Sequence, residues 1–340
     1  MRLAEDLWYP LAESRELKKR PLGLERLGRR FVLWRSPDGK VHAHPDRCPH
    51  LGAALSGGRV CGDRLVCPFH GFEFTGDGQC RHMPAVGQGG RIPKGMMVAS
   101  LPVLETQGFV WLWWGAARES YPEPPFFALA SEQWRYGTVV VDWPVHYSRA
   151  VENQLDVAHL AFVHRTTIGS GKRSLVEGPY VEADDGAIRV WVTNVREGER
   201  PARDLETLKA EARTREPTLT FLFPGLWMLN ISPRLKNIVA FVPINDQTTR
   251  YYLRVYHRHR HPLLAKPFEW VLGVSNRIVL RQDRRVVVTQ TPRDSADADD
   301  RLLGSDRAIA AFRRELARRL SADDRSPRAN ENRQLSVRPG

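Results

Sequence analysis

The sequence predicts an α+β protein of two domains, in which an all-β domain precedes a domain with an antiparallel sheet flanked by helices. The 340-residue chain has an ordinary globular composition, with 42% apolar and 26% charged residues, and its length fits two domains of about 100–200 residues each. Up to about residue 115 the apolar runs are short and are separated by Gly, Pro and Asp, as in all-β proteins. Helical periodicity begins only after a Pro-rich stretch at 121–125.

The first domain contains short candidate strands and two hairpin signals. The dipeptides Asp38-Gly39 and Asp77-Gly78 are typical of β-hairpin turns. The Pro-rich stretch is typical of a linker, so we place the first domain at 1–118 and the second at 119–325. Residues 326–340 are polar and aperiodic, and we predict that they are disordered. The predicted strands are Phe31–Trp34, Leu65–Cys67, Val98–Leu101 and Phe109–Trp113.

The second domain mixes strand-like and helix-like segments. Its last helix should follow Ser305 and Asp306, which suit a helix N-terminus, because apolar residues then recur at helical spacing as far as Leu320. Two further helices are predicted at Ala150–Val163 and from Phe268 to about Val288. The predicted strands are Tyr136–Val141, Ile188–Thr193, Leu219–Phe223, Trp227–Ile231, Ile238–Val242 and Arg250–Tyr256.

Composition and charge argue against several classes of protein. The most apolar run, Gly108–Trp114, is far shorter than the ~18–20 residues of a membrane-spanning helix, and the start of the chain lacks the apolar core of a signal peptide. With only four cysteines, we predict a cytoplasmic protein without disulfides. The net charge is +12, yet no nucleic-acid motif accompanies the Arg-rich pieces Arg254–Arg260 and Arg313–Arg319. A solvated basic surface is therefore favoured over nucleic-acid binding, and docking of a small acidic protein is a third interpretation.

Two short loops each contain one cysteine and one histidine. Cys48-Pro-His50 and Cys67-Pro-Phe-His70 are separated by sixteen residues, and a glycine follows in each loop, at Gly52 and Gly71. Zinc sites usually take like ligands from one loop, as in Cys-x-x-Cys. One Cys and one His from each loop instead match a Rieske [2Fe–2S] centre, in which two Cys hold one iron and two His hold the other. The alternative is that the four are unrelated core residues, which the matched loops disfavour.

The other two cysteines, Cys61 and Cys80, lie outside this pattern. The spacings of all four cysteines match no zinc motif. We therefore predict that Cys61 and Cys80 are core or surface thiols.

A second group of possible metal ligands lies in the segment Asn153-x-x-Asp156-x-x-His159-x-x-x-x-His164. On an ideal helix the two histidines would point ~140° apart, so they can share a metal only if the helix bulges or ends between them. Asp156 precedes His159 by three residues, which places the two side chains on one face. Taken alone, two histidines on a helix are often ordinary interior or surface residues.

A carboxylate would complete a metal site with these histidines. Two His and one carboxylate form the facial triad of non-haem Fe(II) oxygenases, which leaves positions open for O₂ and substrate. Asp283 is our candidate for the carboxylate, and Asp294 and Asp297 are the alternatives.

The two groups together resemble the oxygenase component (α subunit) of the Rieske non-haem iron oxygenases, a family of ring-hydroxylating and oxidative demethylating enzymes. The resemblance rests on CPHLGAALSGG…CPFHGFEFTGDGQC and on the segment from Asn153 to His164, and it runs from about Trp8 to Leu320. One departure is Val288, where the family often has Glu. The resemblance implies a [2Fe–2S] cluster held by Cys48, His50, Cys67 and His70, and a mononuclear Fe(II) held by His159, His164 and Asp283.

The resemblance also implies roles for two further residues. Asp156 matches an aspartate that bridges to a Rieske histidine of the neighbouring subunit, on the electron path between the two metal centres. Asn153 matches an asparagine beside the iron. Because the communicating centres of the family lie in adjacent subunits, the resemblance implies a homotrimer.

The spacing Asn-x-x-Asp-x-x-His is more similar to the single-hydroxylation and demethylating members of the family. We therefore expect hydroxylation or oxidative demethylation of a small organic substrate with O₂. The alternative reaction is dioxygenation of an aromatic ring to a cis-diol. The alternative outside the enzymes is a non-catalytic Rieske electron carrier or redox sensor.

The electrons are expected to come from a separate protein. Gly169-Ser-Gly171 fails both nucleotide-binding templates, and no nicotinamide or flavin fold is evident. A separate reductase or ferredoxin is therefore implied, and the positive charge of the chain would favour docking of an acidic donor.

Two further sets of residues are interpreted as structural. His257, His259 and His261 share one side of a predicted strand, but the interleaved arginines favour an exposed edge over a metal site. The three tryptophans are predicted to pack in the core and at interfaces rather than to form a stacking platform; they are Trp111, Trp113 and Trp114.

Overall fold

The computed structural model describes residues 1–129, 134–184, 186–198, 201–258 and 262–324, without side chains at 262–264 and 322–324. It divides into two compact units, one of Asp6–Pro124 with Met1 and one from Pro125 onward with Arg2–Glu5. The boundary expected at 118/119 stays a prediction and lies a few residues before this division. The tail 326–340, for which we predicted disorder, lies outside the described residues.

The first unit is built from strands, with only short 3-10 turns between them, as the sequence predicts. Its strands form three antiparallel sheets, in the orders β1-β10-β9, β2-β3-β4 and β5-β6-β7-β8. Both predicted hairpins are present, because Asp38-Gly39 lies between β3 and β4 and Asp77-Gly78 lies between β7 and β8. The strands are β1 (Leu7–Glu13), β2 (Leu22–Arg26), β3 (Arg29–Arg35), β4 (Val41–Pro45), β5 (Arg59–Cys61), β6 (Arg64–Val66), β7 (Glu73–Thr75), β8 (Cys80–His82), β9 (Val103–Thr106) and β10 (Phe109–Trp114).

The expected strand at Val98–Leu101 is wrong. The amide of Val98 donates to the Gly78 carbonyl (2.9 Å) and the amide of Leu101 donates to the Ala43 carbonyl (3.0 Å). These single bonds to two different places form no continuous ladder, and the next residue, Pro102, has no amide hydrogen to extend one. The strand of this region begins one residue later, at Val103.

The aromatic residues of β10 form part of the first unit's interior, as predicted. Trp111 and Trp113 are buried. Trp114 is only partly buried, and the guanidinium carbon of Arg29 lies 4.7 Å from the centroid of its ring. A separate cluster of buried apolar residues contains Trp34, Phe74 and the two cysteines of the Cys/His loops, Cys48 and Cys67.

The second unit contains one antiparallel sheet in the order β11-β17-β16-β15-β14-β13-β12. Its strands are β11 (Arg135–Trp143), β12 (Leu175–Asp184), β13 (Ala187–Val195), β14 (Leu219–Leu222), β15 (Leu226–Ser232), β16 (Leu235–Asn245) and β17 (Thr248–His257). Its helices are α1 (Tyr147–Leu155), α2 (Leu160–Val163), α3 (Leu205–Ala212), α4 (Pro262–Val287) and α5 (Arg307–Asp324). No helix in the described ranges is long and apolar enough to cross a membrane.

All six strands predicted for this unit are present, and two elements were missed. Strand β12 contains the dipeptide Gly178-Pro179, which in a sequence usually marks the end of a strand. In the structure the pairing of β12 with β13 shifts register between Glu177 and Tyr180 and then continues. Helix α3 also escaped prediction. Helices α4 and α5 match the predicted helices, but the helix expected over Ala150–Val163 is divided into α1 and α2.

The core of the second unit lies on the face of the sheet that packs against α1 and α5. The ring of Phe241 meets that of Tyr251 edge to face at 5.0 Å. Phe221 meets Phe312 of α5 in the same way at 5.4 Å. All four of these side chains are fully buried, and the Phe221–Phe312 contact fastens the last helix to β14.

Two basic residues that the sequence predicted to be exposed are buried, His257 and Arg254. Strand β17 pairs with β11 on one side and β16 on the other, so His257 is buried and not on an exposed edge as expected. Its Nε2 lies 3.4 Å from a carboxylate oxygen of Glu269. Arg254 is also fully buried, and it therefore lies outside the solvated basic surface predicted for Arg254–Arg260. His259 and His261 lie outside the described residues.

We expect Phe241→Ala to lower the free energy of unfolding of this unit by about 3–5 kcal/mol, because it opens a cavity in a packed core. Val140→Ala, at an exposed position of β11 in the same sheet, is the control and should change the free energy by less than about 0.5 kcal/mol. Urea unfolding followed by near-UV circular dichroism measures both. Equal effects of the two substitutions would contradict the assigned core.

Candidate metal centres

The two Cys/His loops of the first unit have the same backbone geometry. In each loop the amide of a glycine donates to the cysteine carbonyl four residues earlier, from Gly52 to Cys48 (3.0 Å) and from Gly71 to Cys67 (3.1 Å). Each cysteine amide also donates to a carbonyl five residues later (2.8 Å in both loops). Both glycines have positive φ (+76° and +69°), which other residues adopt only with strain. The loops are thus two copies of one turn.

This geometry brings the four predicted ligands together in pairs. The Cys48 and Cys67 side chains are buried and close enough to hydrogen bond with each other. Burial, reinforced by the neighbouring Cys67 thiol, raises the pKa of Cys48 to about 11. The imidazoles of His50 and His70 are exposed at the surface, with their Nδ1 atoms 3.2 Å apart. Two thiols therefore lie inside and two imidazoles outside.

This donor set fits a [2Fe–2S] cluster with two Cys on the inner iron and two His on the outer iron. Buried thiols lose their protons at neutral pH only beside a strong positive charge such as a metal ion. Of the two cysteines outside the motif, Cys61 is exposed and Cys80 is buried, with its thiol 3.5 Å from the His82 carbonyl.

Helix α1 ends just before the second predicted group of ligands. The carboxylate of Asp156 accepts hydrogen bonds from the amides of Ala158 (2.7 Å) and His159 (3.2 Å). A side chain that binds these amides replaces the helical carbonyl partners and terminates the helix. Asp156 itself is extended, so Asp156 and His159 are neighbours through this turn and not, as expected, through a shared helix face.

The two histidines flank the single turn of α2. His159 precedes it and His164 follows it, and their ring centroids are 5.1 Å apart. The helix thus begins at one histidine and ends at the other. The break in the expected helix lies before His159, at Asp156, and not between the two histidines as expected. Asn153, on α1, lines the same cleft as His159, and its Nδ2 is buried without a hydrogen-bond partner among the described residues.

Asp283 of α4 lies between the two imidazoles. Its Oδ1 is 3.4 Å from Nε2 of His159 and 2.9 Å from Nε2 of His164. Burial raises the pKa of Asp283, but the two histidines outweigh burial and lower it. Burial likewise lowers the pKa of His159, but contacts with Asp156 and Asp283 outweigh it and raise the pKa to about 9.

Within the described residues, His159, His164 and Asp283 form the group whose ligand atoms all lie within 4.8 Å of one another. The alternatives to Asp283 lie elsewhere. Asp294 accepts a hydrogen bond from the Ala296 amide and faces His146, and Asp297 belongs to the short turn that follows. Two imidazole nitrogens and one carboxylate oxygen are the donors that a mononuclear non-haem iron takes, so the residues fit that metal.

Sequence reasoning missed a residue that orients one of these histidines. The Oε1 of Gln282 accepts a hydrogen bond from His164 Nδ1 (2.9 Å) and another from the Thr167 hydroxyl (2.8 Å). Its Nε2 donates to the Thr166 hydroxyl (3.0 Å). Because Nδ1 is the donor in this bond, Nε2 of His164 is the ring nitrogen that could bind a cation shared with Asp283. The one feature of the sequence that could have indicated this role is that Gln282 directly precedes Asp283.

A buried ion-pair network fixes α1 beside this site. Glu152 contacts Arg149 (3.1 Å) and Arg313 of α5 (2.7 Å), and both arginines also contact Asp300 (2.8 and 2.6 Å). Arg149 and Glu152 are almost fully buried. Pairing makes such burial tolerable, whereas loss of one partner would leave a buried charge. The network ties α1 to α5 next to Asn153 and Asp156.

Comparisons with known proteins agree with these two centres. The family model for the Rieske [2Fe–2S] domain matches residues 7–103. The family model for the vanillate O-demethylase oxygenase C-terminal domain matches residues 143–322, which is more than half of the chain.

Two curated relatives illustrate the similarity. The oxygenase component of dicamba O-demethylase from Stenotrophomonas maltophilia is 38% identical over 171 residues, which are 48% of this chain and 49% of that protein. The iron–sulfur subunit TsaM2 of a putative toluene-4-sulfonate monooxygenase system from Comamonas testosteroni is 33% identical over 184 residues, which are 54% of this chain and 52% of that protein. The chain thus matches about half the length of these relatives.

A solved structure extends the likeness to nearly the whole chain. The crystal structure of dicamba monooxygenase bound to dicamba covers 96% of this chain and 100% of that one, with a TM-score of 0.75 and 23% identity. At this identity the likeness shows the fold. From the two family matches, the chain belongs to the Rieske non-haem iron oxygenases, with an N-terminal Rieske [2Fe–2S] domain and a vanillate O-demethylase-type oxygenase C-terminal domain.

Proposed function

We propose that this chain is a terminal oxygenase component that hydroxylates or oxidatively demethylates a small organic substrate. The observation that carries the proposal is a buried group of two histidines and one carboxylate in a chain that also has two Cys/His loops. Membership of the family brings a Rieske cluster and a mononuclear iron, and the iron supplies the activation of O₂. An electron carrier would need only the first unit.

The residues of the second unit support this function in separate ways. His159, His164 and Asp283 would hold the iron, and they leave open positions because the described residues supply only three ligand atoms there. Gln282 keeps His164 in the tautomer that presents Nε2. A cavity of about 1060 Å³ borders α2, the turn between the two histidines, and offers room for an organic substrate.

The demethylating or single-hydroxylation outcome is preferred to dioxygenation. The curated relatives include a dicamba O-demethylase and a toluene-4-sulfonate monooxygenase subunit. The Asn153-x-x-Asp156-x-x-His159 spacing also favours single hydroxylation or demethylation. Product analysis with ¹⁸O₂ distinguishes the reactions, because a monooxygenase leaves one labelled oxygen atom in the hydroxylated product and a cis-diol contains two.

We further propose that Asp156 links the two centres between adjacent subunits of a homotrimer. Its side chain is about one-third exposed, beside His159. It lies in a surface cleft of about 300 Å³ together with Asn153 and His159, where a second copy of the chain would dock. A separate reductase or ferredoxin would supply the electrons, and the net charge of +12 would favour an acidic donor. We retain a cytoplasmic location as a prediction.

The metal content of the purified chain tests the proposal. After anaerobic incubation with Fe(II) and desalting, the wild type should contain about three iron atoms and two acid-labile sulfides per chain, one iron at the second site and two in the cluster. His164→Ala should contain about two of each, because it loses one ligand of the buried group. Two iron atoms in the wild type would leave only a Rieske carrier or sensor.

We expect Gln282→Leu to weaken Fe(II) binding at the second site by about 10–100-fold, since it removes the acceptor that orients His164. Gln282→Glu keeps an acceptor and should bind nearly as the wild type does. Gln247→Leu, on an exposed turn of the same unit, is the control. Anaerobic titration with a competing chelator measures the affinity; equal affinity in the Leu variant and the control would remove Gln282 from this role.

We expect Asp156→Asn to keep iron and sulfide at wild-type levels while turnover falls by about 10–100-fold or more. The amide oxygen still accepts from the Ala158 and His159 amides, so the turn is preserved, but the negative charge next to His159 is lost. Stopped-flow reoxidation of the chemically reduced cluster provides the separate readout and should slow in parallel. Turnover at the wild-type rate would exclude Asp156 from the electron path.

A further inference from the structure

The cavity beside α2 differs chemically from one end to the other. Its wall near the candidate iron ligands includes Leu160 and Ala161 of α2, together with Ile168 and Val192. Asn194 also lines it and donates from Nδ2 to the Val157 carbonyl (2.9 Å), two residues before His159. This end is mainly apolar and is attached directly to the turn that carries both histidines.

The rest of the wall is strongly basic. Four cationic side chains line the cavity against one carboxylate, that of Glu216, among the described residues. The cations come from four different parts of the chain, so no single basic segment explains them; they are Arg173, Arg215, Lys236 and Arg258. A cavity that concentrates positive charge raises the local concentration of anions and favours their binding.

Lys236 is held at the cavity wall and is poorly neutralised. Its side chain is only 13% exposed, and its Nζ donates to Asn230 Oδ1. The nearest carboxylate is Glu216, whose oxygen is 3.5 Å away but whose side chain is 79% exposed. Water screens such an exposed carboxylate strongly. Most of the Lys236 charge is therefore available to a ligand in the cavity.

Arg258 is oriented by an aromatic ring rather than by an acid. Its guanidinium carbon lies 4.6 Å from the centroid of the Trp134 ring, and its amide donates to the Arg234 carbonyl (3.1 Å). Its buried Nε has no hydrogen-bond partner among the described residues. A guanidinium stacked on an indole keeps its charge and its donors, and an anion is the partner that such a group favours.

The two ends of the cavity lie on different strands. Asn194 is on β13 and Lys236 is on β16, three strands apart in the sheet, which is about 14 Å at normal strand spacing. An apolar group against α2 and a charged group at Lys236 and Arg258 therefore occupy separate parts of the site. The arrangement suits an elongated molecule with one charged end.

We propose that this cavity binds an organic anion, with its carboxylate or sulfonate held by Lys236 and Arg258 and its apolar part against Leu160 and Ala161. The proposal rests on the proposed function in that it takes this cavity as the substrate site. It identifies the substrate of the oxygenase as an organic acid, and it places the reacting part of that acid at the end opposite its charge.

A matched pair of probes tests the charge preference without turnover. Equilibrium dialysis of the full-length holoenzyme with 2-naphthoate and 2-naphthamide compares two ligands of the same shape that differ in charge. The wild type should bind the carboxylate at least about 10-fold more tightly. In Lys236→Met/Arg258→Gln this ratio should fall to about one, mainly through loss of carboxylate affinity. Arg213→Gln removes a nearby exposed cation that does not line the cavity, and it should leave the ratio unchanged.

The single variants Lys236→Met and Arg258→Gln provide the same test if the double variant does not fold, because each should lower the ratio. Equal binding of the two probes by the wild type, no binding of either, or a ratio that the variants leave unchanged would overturn the proposal. The metal assay is independent of these results. A chain with three iron atoms and no charge preference refutes only the anion site, whereas charge-dependent binding by a chain with two iron atoms refutes only the oxygenase.

Discussion

Asp283 places an ionised carboxylate in the interior between two imidazoles, and much of the second unit is arranged around that position. An isolated charge there would cost several kcal/mol of desolvation, so the carboxylate depends on His159 and His164, which lower its pKa. The histidines in turn depend on the turn that Asp156 creates and on the hydrogen bond from His164 to Gln282. Helix α4, 26 residues long, holds the carboxylate and Gln282 on one rigid element.

The ligand loops of the first unit were predictable because their geometry is local. Cys48, His50 and Gly52 lie within five residues of one another, and the second loop repeats the arrangement. The geometry of the second site was harder to predict from the sequence. The sequence indicated that the helix had to bulge or end between His159 and His164 if they share a metal, but it did not show that the Asp156 side chain ends it before His159. Asp283 lies more than a hundred residues away, and only the family resemblance connected it with the histidines.

Burial of charged and titratable residues was the least predictable feature. Arg254 lies in an Arg-rich piece that predicted a solvated surface, and His257 begins a run of alternating His and Arg that predicted an exposed edge. Their strand is interior to the sheet because β11, far earlier in the chain, pairs along its open side. The ion-pair network of Glu152 was equally unpredictable. The sequence of α1 does not indicate that Arg313 of α5 neutralises the buried Glu152 carboxylate. Such long-range neutralisation leaves no local signal in the sequence.

The position of α2 has a consequence for how such an enzyme changes its substrate during evolution. Leu160 and Ala161 line the cavity that we propose as the substrate site, and the residues at either end of the same turn are His159 and His164. A larger or smaller side chain in this turn would displace the histidines along with the cavity wall. Asn230 and Lys236 lie on β15 and β16, far from α2 in the sequence, so substitutions there would not displace the histidines. Divergence of specificity is therefore easiest along the sheet, and the turn is constrained to remain nearly fixed.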